Sequence, residues 1–403
     1  MSSRWVPGNR FNLLENGEGF YPRVFSAIEV AEREILIETF IWFNDKVGLL
    51  LRDALVRAAR RGVKVHVLID GWGSPDMKMP FTAPMMEVGV HLRSFEPARW
   101  LFGKRINMLG RMHHKLVVID GSVAFVGGIN YAEDHLVTHD PMGKQDYAIE
   151  IEGPLVGQIH AFCRTSLETP QPLRRTWIRR WQVMRALRRD ALAPIPGGAV
   201  AAFVTRDNAN HRTDIERQYR AAFRGAQSRI LIANAYFFPG FRFLRDLRRA
   251  ARRGVQVDLI LQGQPDMLWV RRASMLLYEL LLRAGVNIHE FVERPLHAKV
   301  GVVDDLWATV GSSNLDPTSL SLNLEANVMV RDEAFAGELR ARLDHLIQHK
   351  CQPVDLPRPG MLKSAWIAVR STVLYHVLRR FPVWLQLTQW RAPRVVPLQV
   401  ETP

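Results

Sequence analysis

The chain has 403 residues, 47% hydrophobic and 23% charged, with 54 Lys+Arg against 40 Asp+Glu and a formal net charge of +14. So much aliphatic content excludes extended disorder and suffices for one large core or two fused lobes. The basic balance attracts anionic partners, nucleic acid or an acidic lipid surface, without choosing between them.

Two cysteines, Cys163 and Cys351, are too few for a disulfide framework, which leaves a reducing cytosol as the default. Met1–Glu18 lacks the apolar core of a secretory signal. No stretch supplies the ~20 uncharged apolar residues of a spanning helix. The expectation is a protein that is soluble or bound to one membrane face.

In chain order, Ile35–Phe43 reads as a short buried strand. An amphipathic helix pattern follows and ends at Ala58-Ala59-Arg60-Arg61-Gly62, where the glycine suits a helix C-cap. Val63–Leu68 reads as the next strand, and Gly89-Val90 repeats the step. The same succession returns as Ile230–Phe238, Ala250-Ala251-Arg252-Arg253-Gly254, Val255–Leu261 and Gly285-Val286, at offsets of 195, 192 and 196 residues. An ordered recurrence of this kind predicts an internal duplication. Strand–helix alternation predicts βαβ units on a mainly parallel sheet flanked by helices, an α/β fold of two similar lobes.

Between the copies, Gln171–Asp190 carries seven arginines and no acid before Asp190, interleaved with Trp177, Ile178, Trp181, Met184 and Leu187. Pro194, Pro196, Gly197 and Gly198 then break the chain. The expected organisation is a first lobe over 1–165, a basic connector over 166–198, a second lobe over 199–355 and an amphipathic basic tail over 356–403.

The chemistry lies on a repeated template: His, Lys two residues later, Asp five after the Lys, Gly seven after the Asp and Asn three after the Gly. It is spelled by His113, Lys115, Asp120, Gly127 and Asn130, and again by His297, Lys299, Asp304, Gly311 and Asn314. The offset between copies is 184 throughout. Side chains two apart in a strand share a face, so each imidazole and ammonium should point into one space. The small residues before each Asn let a substrate approach the backbone closely.

A pair of such half-sites suits a phosphodiester. Lys115, Lys299, Asn130 and Asn314 would hold the non-bridging oxygens. One histidine would attack phosphorus and the other would protonate the leaving oxygen. Each histidine also needs an orienting acid. Asp146, 33 residues after His113, and Glu325, 28 residues after His297, stand at the start of the next β-like run, where a parallel neighbour would present them. Asp120 and Asp304 stand either among the catalytic residues or as structural residues tying strand to turn. His114 should face away from His113. Glu38 is either a cleft acid or a paired buried acid. No metal is required: zinc-type Cys/His spacing is missing, and so is a Gly-x4-Gly-Lys-Ser/Thr loop. No cofactor is expected.

These residues resemble the phospholipase D superfamily, marked by a duplicated His-x-Lys-x4-Asp motif. The surrounding text is closer still to the bacterial cardiolipin synthases of short type B, through Leu36–Phe43, Leu68–Ser74, Lys144–Ala148, Gly311–Pro317 and Leu322–Glu325. The resemblance spans about residues 8–350 and fades in the last fifty. It implies a phospholipase D-like α/β/α sandwich with one site between the lobes. It further implies His113 as nucleophile, through a phosphohistidine, and His297 as general acid. The implied reaction moves a phosphatidyl group from phosphatidylglycerol or phosphatidylethanolamine onto phosphatidylglycerol.

Acyl-chain substrates place the cleft at an anionic bilayer surface, on the cytoplasmic face of a bacterial membrane. Three stretches are apolar and cationic enough to meet it: 171–190, Trp100–Arg105 and Met361–Trp390. Two rival readings stand beside this one. The first is a hydrolase of the same superfamily, a phospholipase D or a nuclease suited by the positive charge; the Trp- and Leu-rich tail makes nucleic acid the less fitting partner. The second is an inactive scaffold that binds anionic lipid.

Overall fold

The structure, a computed structural model, describes residues 4–97, 100–101, 104–105, 109–138, 141–168, 192–263, 277–355 and 394–398. The basic stretch 171–190 and the tail stretch 361–390 lie outside the described residues. Trp100–Leu101 and Lys104–Arg105 form a two-stranded ribbon.

Sixteen strands form a single sheet. From the seam outward, the first lobe runs Val6–Glu15, Tyr147–Glu152, Val123–Gly127, Leu116–Ile119, Glu34–Thr39, Lys64–Asp70 and His91–Phe95. The second lobe repeats that order as Ala199–Arg206, Glu325–Arg331, Trp307–Gly311, Lys299–Val303, Arg229–Asn234, Gln256–Gln262 and Val286–Phe291. Val6–Glu15 meets Ala199–Arg206 at the seam through two antiparallel pairs, Val6 with Ala201 and Asn9 with Ala199. The duplication expected from the sequence is thus a duplication of topology.

The sheet is mixed, not mainly parallel. In each lobe the three outer strands joined by helices run parallel, Glu34–Thr39 to Lys64–Asp70 to His91–Phe95 in the first. Their inner neighbours are antiparallel, and the tightest links among them are too short for a crossover. Only three residues separate Leu116–Ile119 from Val123–Gly127.

Three apolar layers hold the sandwich. One covers the inner face of both lobes, where the helices Pro154–Glu168 and Glu333–Lys350 contribute Leu155, Ile159, Phe335 and Leu339. The opposite face carries a separate layer for each lobe, under Asn16–Glu29 and Lys46–Arg60 in the first and Asp214–Gly225 and Phe241–Arg252 in the second. Lys46–Arg60 begins with Asp45 accepting from the Gly48 N–H and stops at Gly62, whose φ of 92° admits glycine without strain. Gly254, at φ 93°, ends the equivalent helix in the second lobe. No helix among the described residues is long and apolar enough to cross a membrane.

The end of the tail returns to the first lobe. Val395–Pro397 pairs antiparallel with the outer strand His91–Phe95; beside it the Glu96 N–H donates to the Arg394 carbonyl and the Arg394 N–H donates to the Glu96 carboxylate. Cys351–Pro353 lies likewise against Val286–Phe291 at the other end of the sheet.

Asp120 and Asp304 are tie points, which corrects their reading as catalytic residues. The Asp120 carboxylate accepts the backbone N–H groups of Glu32, Arg33 and Glu34 at 2.8–2.9 Å. Asp304 accepts those of Gln227, Ser228 and Arg229 at 2.7–2.9 Å. Each sits at positive φ in the turn that ends its motif strand, five residues or roughly 16 Å of extended chain away from the lysine. Burial raises both carboxyls, but the backbone donors outweigh it and leave them below the ordinary value. The stabilisation is therefore present above about pH 4 and lost as pH falls through the depressed folded values. Asp120→Ala and Asp304→Ala should each lower stability by about 1–3 kcal/mol. Denaturant unfolding would show the loss, and turnover per folded molecule should stay close to that of the parent.

Candidate active site

Both motifs open where a chain segment crosses from loop into sheet at the seam. Met112 bridges Leu324 of the second lobe, with the His113 N–H on the Leu324 carbonyl at 2.8 Å. Gln145 bridges Leu296 in the mirrored arrangement, with the His297 N–H on the Gln145 carbonyl at 2.8 Å. Each motif is thereby stitched to the segment that carries the other lobe's acid.

The histidine–acid pairs are exchanged between lobes. His113 Nδ1 lies 3.1 Å from Glu325, and His297 Nδ1 lies 2.6 Å from Asp146. The parallel neighbour anticipated from the sequence exists, but each acid serves the histidine of the opposite lobe. A carboxylate on Nδ1 fixes that proton and leaves Nε2 to face the cleft. Both acids are fully buried. Burial pushes Glu325 up, yet His113, Lys115 and the Ser312 hydroxyl, which donates to it at 2.5 Å, leave it below the ordinary value. Asp146 stays above the ordinary value because burial dominates there. Gly128, the first-lobe counterpart of Ser312, has no room for a side chain: a Cβ would stand 2.5 Å from the Asp146 oxygens.

Lys115 and Lys299 are brought into the same cluster. Each ammonium donates to the carbonyl of its own motif histidine, Lys115 at 2.6 Å. The Lys115 ammonium also lies 5.2 Å from the Phe40 ring centre, and Phe40 packs edge-on against His113 at 4.9 Å. Burial lowers Lys115 to about 7 and Lys299 to about 8, with Glu325 and Asp146 opposing it and each lysine surrounded by further cations. His113 and His297 are likewise lowered, first by burial. Burial is the first cause of all four shifts, and the two carboxylates only partly offset it at the lysines.

Asn130 and Asn314 lie in the turns after Val123–Gly127 and Trp307–Gly311, both nearly buried. Asn130 Oδ1 accepts from the Ile41 N–H at 3.3 Å. Asn314 Oδ1 is buried without a hydrogen-bond partner. His114 points away from His113, with Nδ1 3.0 Å from Glu38. That contact lacks hydrogen-bond geometry, so the two form a close buried pair, and Glu38 is the paired acid of the two alternatives.

Three supports escaped the sequence reasoning. Arg111 forms a buried ion pair with Asp70, which also accepts the Met112 N–H at 2.9 Å and so fixes the backbone before His113. Ser312 holds Glu325. His135 lies against His297 at 5.4 Å between ring centres. Asp70 and Arg111 each flank a segment singled out above, but nothing in their spacing announces the pairing. Among the described residues, His135, Asp146 and His297 also bring one donor atom each within 4.8 Å of one another. Lys299, Lys144 and Lys115 surround that trio, which makes it a poor host for a cation.

The comparisons agree with this geometry. The family model described as cardiolipin synthase, PLD-like domain, matches residues 24–156 and 219–347, one match per lobe. The chain belongs to this family. It is 48% identical over 406 residues to cardiolipin synthase B of Shigella flexneri, covering 100% of this chain and 95% of that protein. Against cardiolipin synthase B of Escherichia coli (strain K12) the identity is 47%, with the same coverage. Among solved structures, the phosphatidylserine synthase of Haemophilus influenzae Rd KW20 superposes with a TM-score of 0.67 at 14% identity, covering 93% of this chain and 97% of that one. That likeness is one of fold.

Two outcomes follow. Glu325→Gln and Asp146→Asn should each reduce turnover roughly 10²–10⁴-fold, measured with purified protein on phospholipid substrate. Affinity for a phosphate-like probe such as vanadate should fall as pH rises through about 7 to 8, where Lys115 and Lys299 lose their protons. A flat titration would remove the lysines as the anion-holding charges.

Proposed function

We propose that this chain is a phosphatidyltransferase that makes cardiolipin, working as a peripheral enzyme on the cytoplasmic face of the bacterial membrane. The observation that carries the reading is the reciprocal exchange of acids, which puts two oriented imidazoles and two lysines in one buried cluster at the seam. Similarity along the whole chain to cardiolipin synthase B supports the choice of substrate.

In the first half-reaction Nε2 of His113 attacks the phosphorus of the donor lipid. The bond from phosphorus to the head-group oxygen breaks, and His297, holding a proton, gives it to that oxygen. A small alcohol leaves: glycerol from phosphatidylglycerol, or ethanolamine from phosphatidylethanolamine. In the second half, neutral His297 takes the proton from a hydroxyl of an incoming phosphatidylglycerol. That oxygen attacks the phosphohistidine, releases His113 and yields cardiolipin. Lys115, Lys299, Asn130 and Asn314 hold the non-bridging oxygens and offset charge in both transition states. The bound phosphate itself favours a protonated His297, because it supplies negative charge among surrounding cations. No step calls for a metal or cofactor.

Hydrolysis is the same chemistry with water in place of the second lipid. The test is incubation with defined vesicles of phosphatidylglycerol, with and without phosphatidylethanolamine, followed by mass spectrometry. Cardiolipin should accumulate, and His113→Ala and His297→Ala should each abolish it while vesicle binding survives. Phosphatidic acid as sole product would replace transfer by hydrolysis.

A further inference from the structure

We propose that His135 is a third functional histidine of this site, a positioning residue that joins Asn130 to the His297–Asp146 pair. It follows Asn130 by five residues, in the single-turn helix Glu133–His135. At the equivalent template position, 184 residues on, the second lobe has Ser319. The two half-sites are therefore unequal at this point, although their motifs match.

The side chain is fully buried. Its Nε2 accepts the Asn130 backbone N–H at 3.3 Å, so the lone pair is on Nε2 and the proton on Nδ1. Nδ1 is buried and has no hydrogen-bond partner. The imidazole stands edge-to-face with His297, and donor atoms of His135, Asp146 and His297 lie within 4.8 Å of one another. A buried polar atom without a partner carries a cost that an apolar residue would avoid. Its position beside the exchanged pair supplies the reason for keeping it.

The turn is fixed from several sides. The Glu133 N–H donates to Asp45 at 2.7 Å, and the Lys46 N–H donates to Glu133 at 2.9 Å. Tyr21 donates its hydroxyl to the carbonyls of Asn130 and Ala132. Asp134 forms an ion pair with Lys144, and the Lys144 N–H donates to the Asp134 carbonyl at 2.7 Å, two residues before Asp146. His135 is thus rigid relative to both Asn130 and Asp146. Burial keeps its ring neutral, well below the ordinary histidine value. It acts as a fixed dipole and a barrier to water, not as a charge.

The groups that face His297 are Asp146 and Lys144 from the first lobe, Lys115 and His113 from the first motif, Lys299 on its own strand, and His135. Apart from Asp146, that set gives His297 no help in holding a proton. Removing the His135 ring admits water, relieves the burial and should raise the pH at which His297 titrates.

This inference rests on the reading of His297 as a working residue, so His297→Ala is run in the same lipid assay; activity in that variant would overturn the reading itself. His135→Ala should lower kcat roughly ten- to a hundredfold with little change in KM, and shift the pH profile. His135→Gln keeps one acceptor for Asn130 and one donor, and should recover most of kcat. His135→Phe keeps only a ring and should not. In protein with 15N-labelled histidines and no substrate, His297 should titrate at higher pH in His135→Ala. An inactive His297→Ala beside His135→Ala and His135→Phe variants of parental kcat and unchanged His297 titration would overturn this inference alone. So would a loss confined to thermal stability.

Discussion

Everything at the site depends on the crossing of two carboxylates. Glu325 belongs by sequence to the second lobe and by contact to His113; Asp146 belongs to the first lobe and pairs with His297. Neither half can complete its own imidazole. The backbone bridges at Met112–Leu324 and Gln145–Leu296 make the same exchange in the main chain, so orientation of the rings and cohesion of the lobes are one property.

Burial sets the electrostatics of the cluster. It lowers both lysines and both histidines; Glu325 and Asp146 oppose it at the lysines, joined by Asp70 at Lys115 and by Asp316 at Lys299. Arg111 and Asp70 form their own buried ion pair beside the cluster, with Asp70 also acting on Lys115. They neutralise each other and stiffen the strand entrance that His113 needs.

Much of this was legible in the residues. The repeated His-x-Lys-x4-Asp, the Gly62 and Gly254 helix stops and the offset strands announced a duplicated α/β fold, because local propensities act over a few residues and survive copying. Asp146 and Glu325 were visible as candidates, but their exchange was not: which lobe an acid serves depends on how two sheets meet, and spacing along the chain carries no such information. The sheet direction was misjudged for a related reason. Hairpins such as Ile119 to Val123 and helical crossovers look alike when strands are short and apolar. Asp120 and Asp304 show the opposite hazard, since a residue can be invariant between repeats because the turn needs it. His135 left no trace because it has no copy.

The two ends of the long sheet are closed by late pieces of chain, Cys351–Pro353 at one end and Val395–Pro397 at the other. An unclosed strand edge invites pairing with another molecule. The strand His91–Phe95 is covered by residues about 300 positions further along the chain, so its edge is open while its own lobe can already collapse. A first lobe that has not yet met Val395–Pro397 is therefore adhesive along that edge.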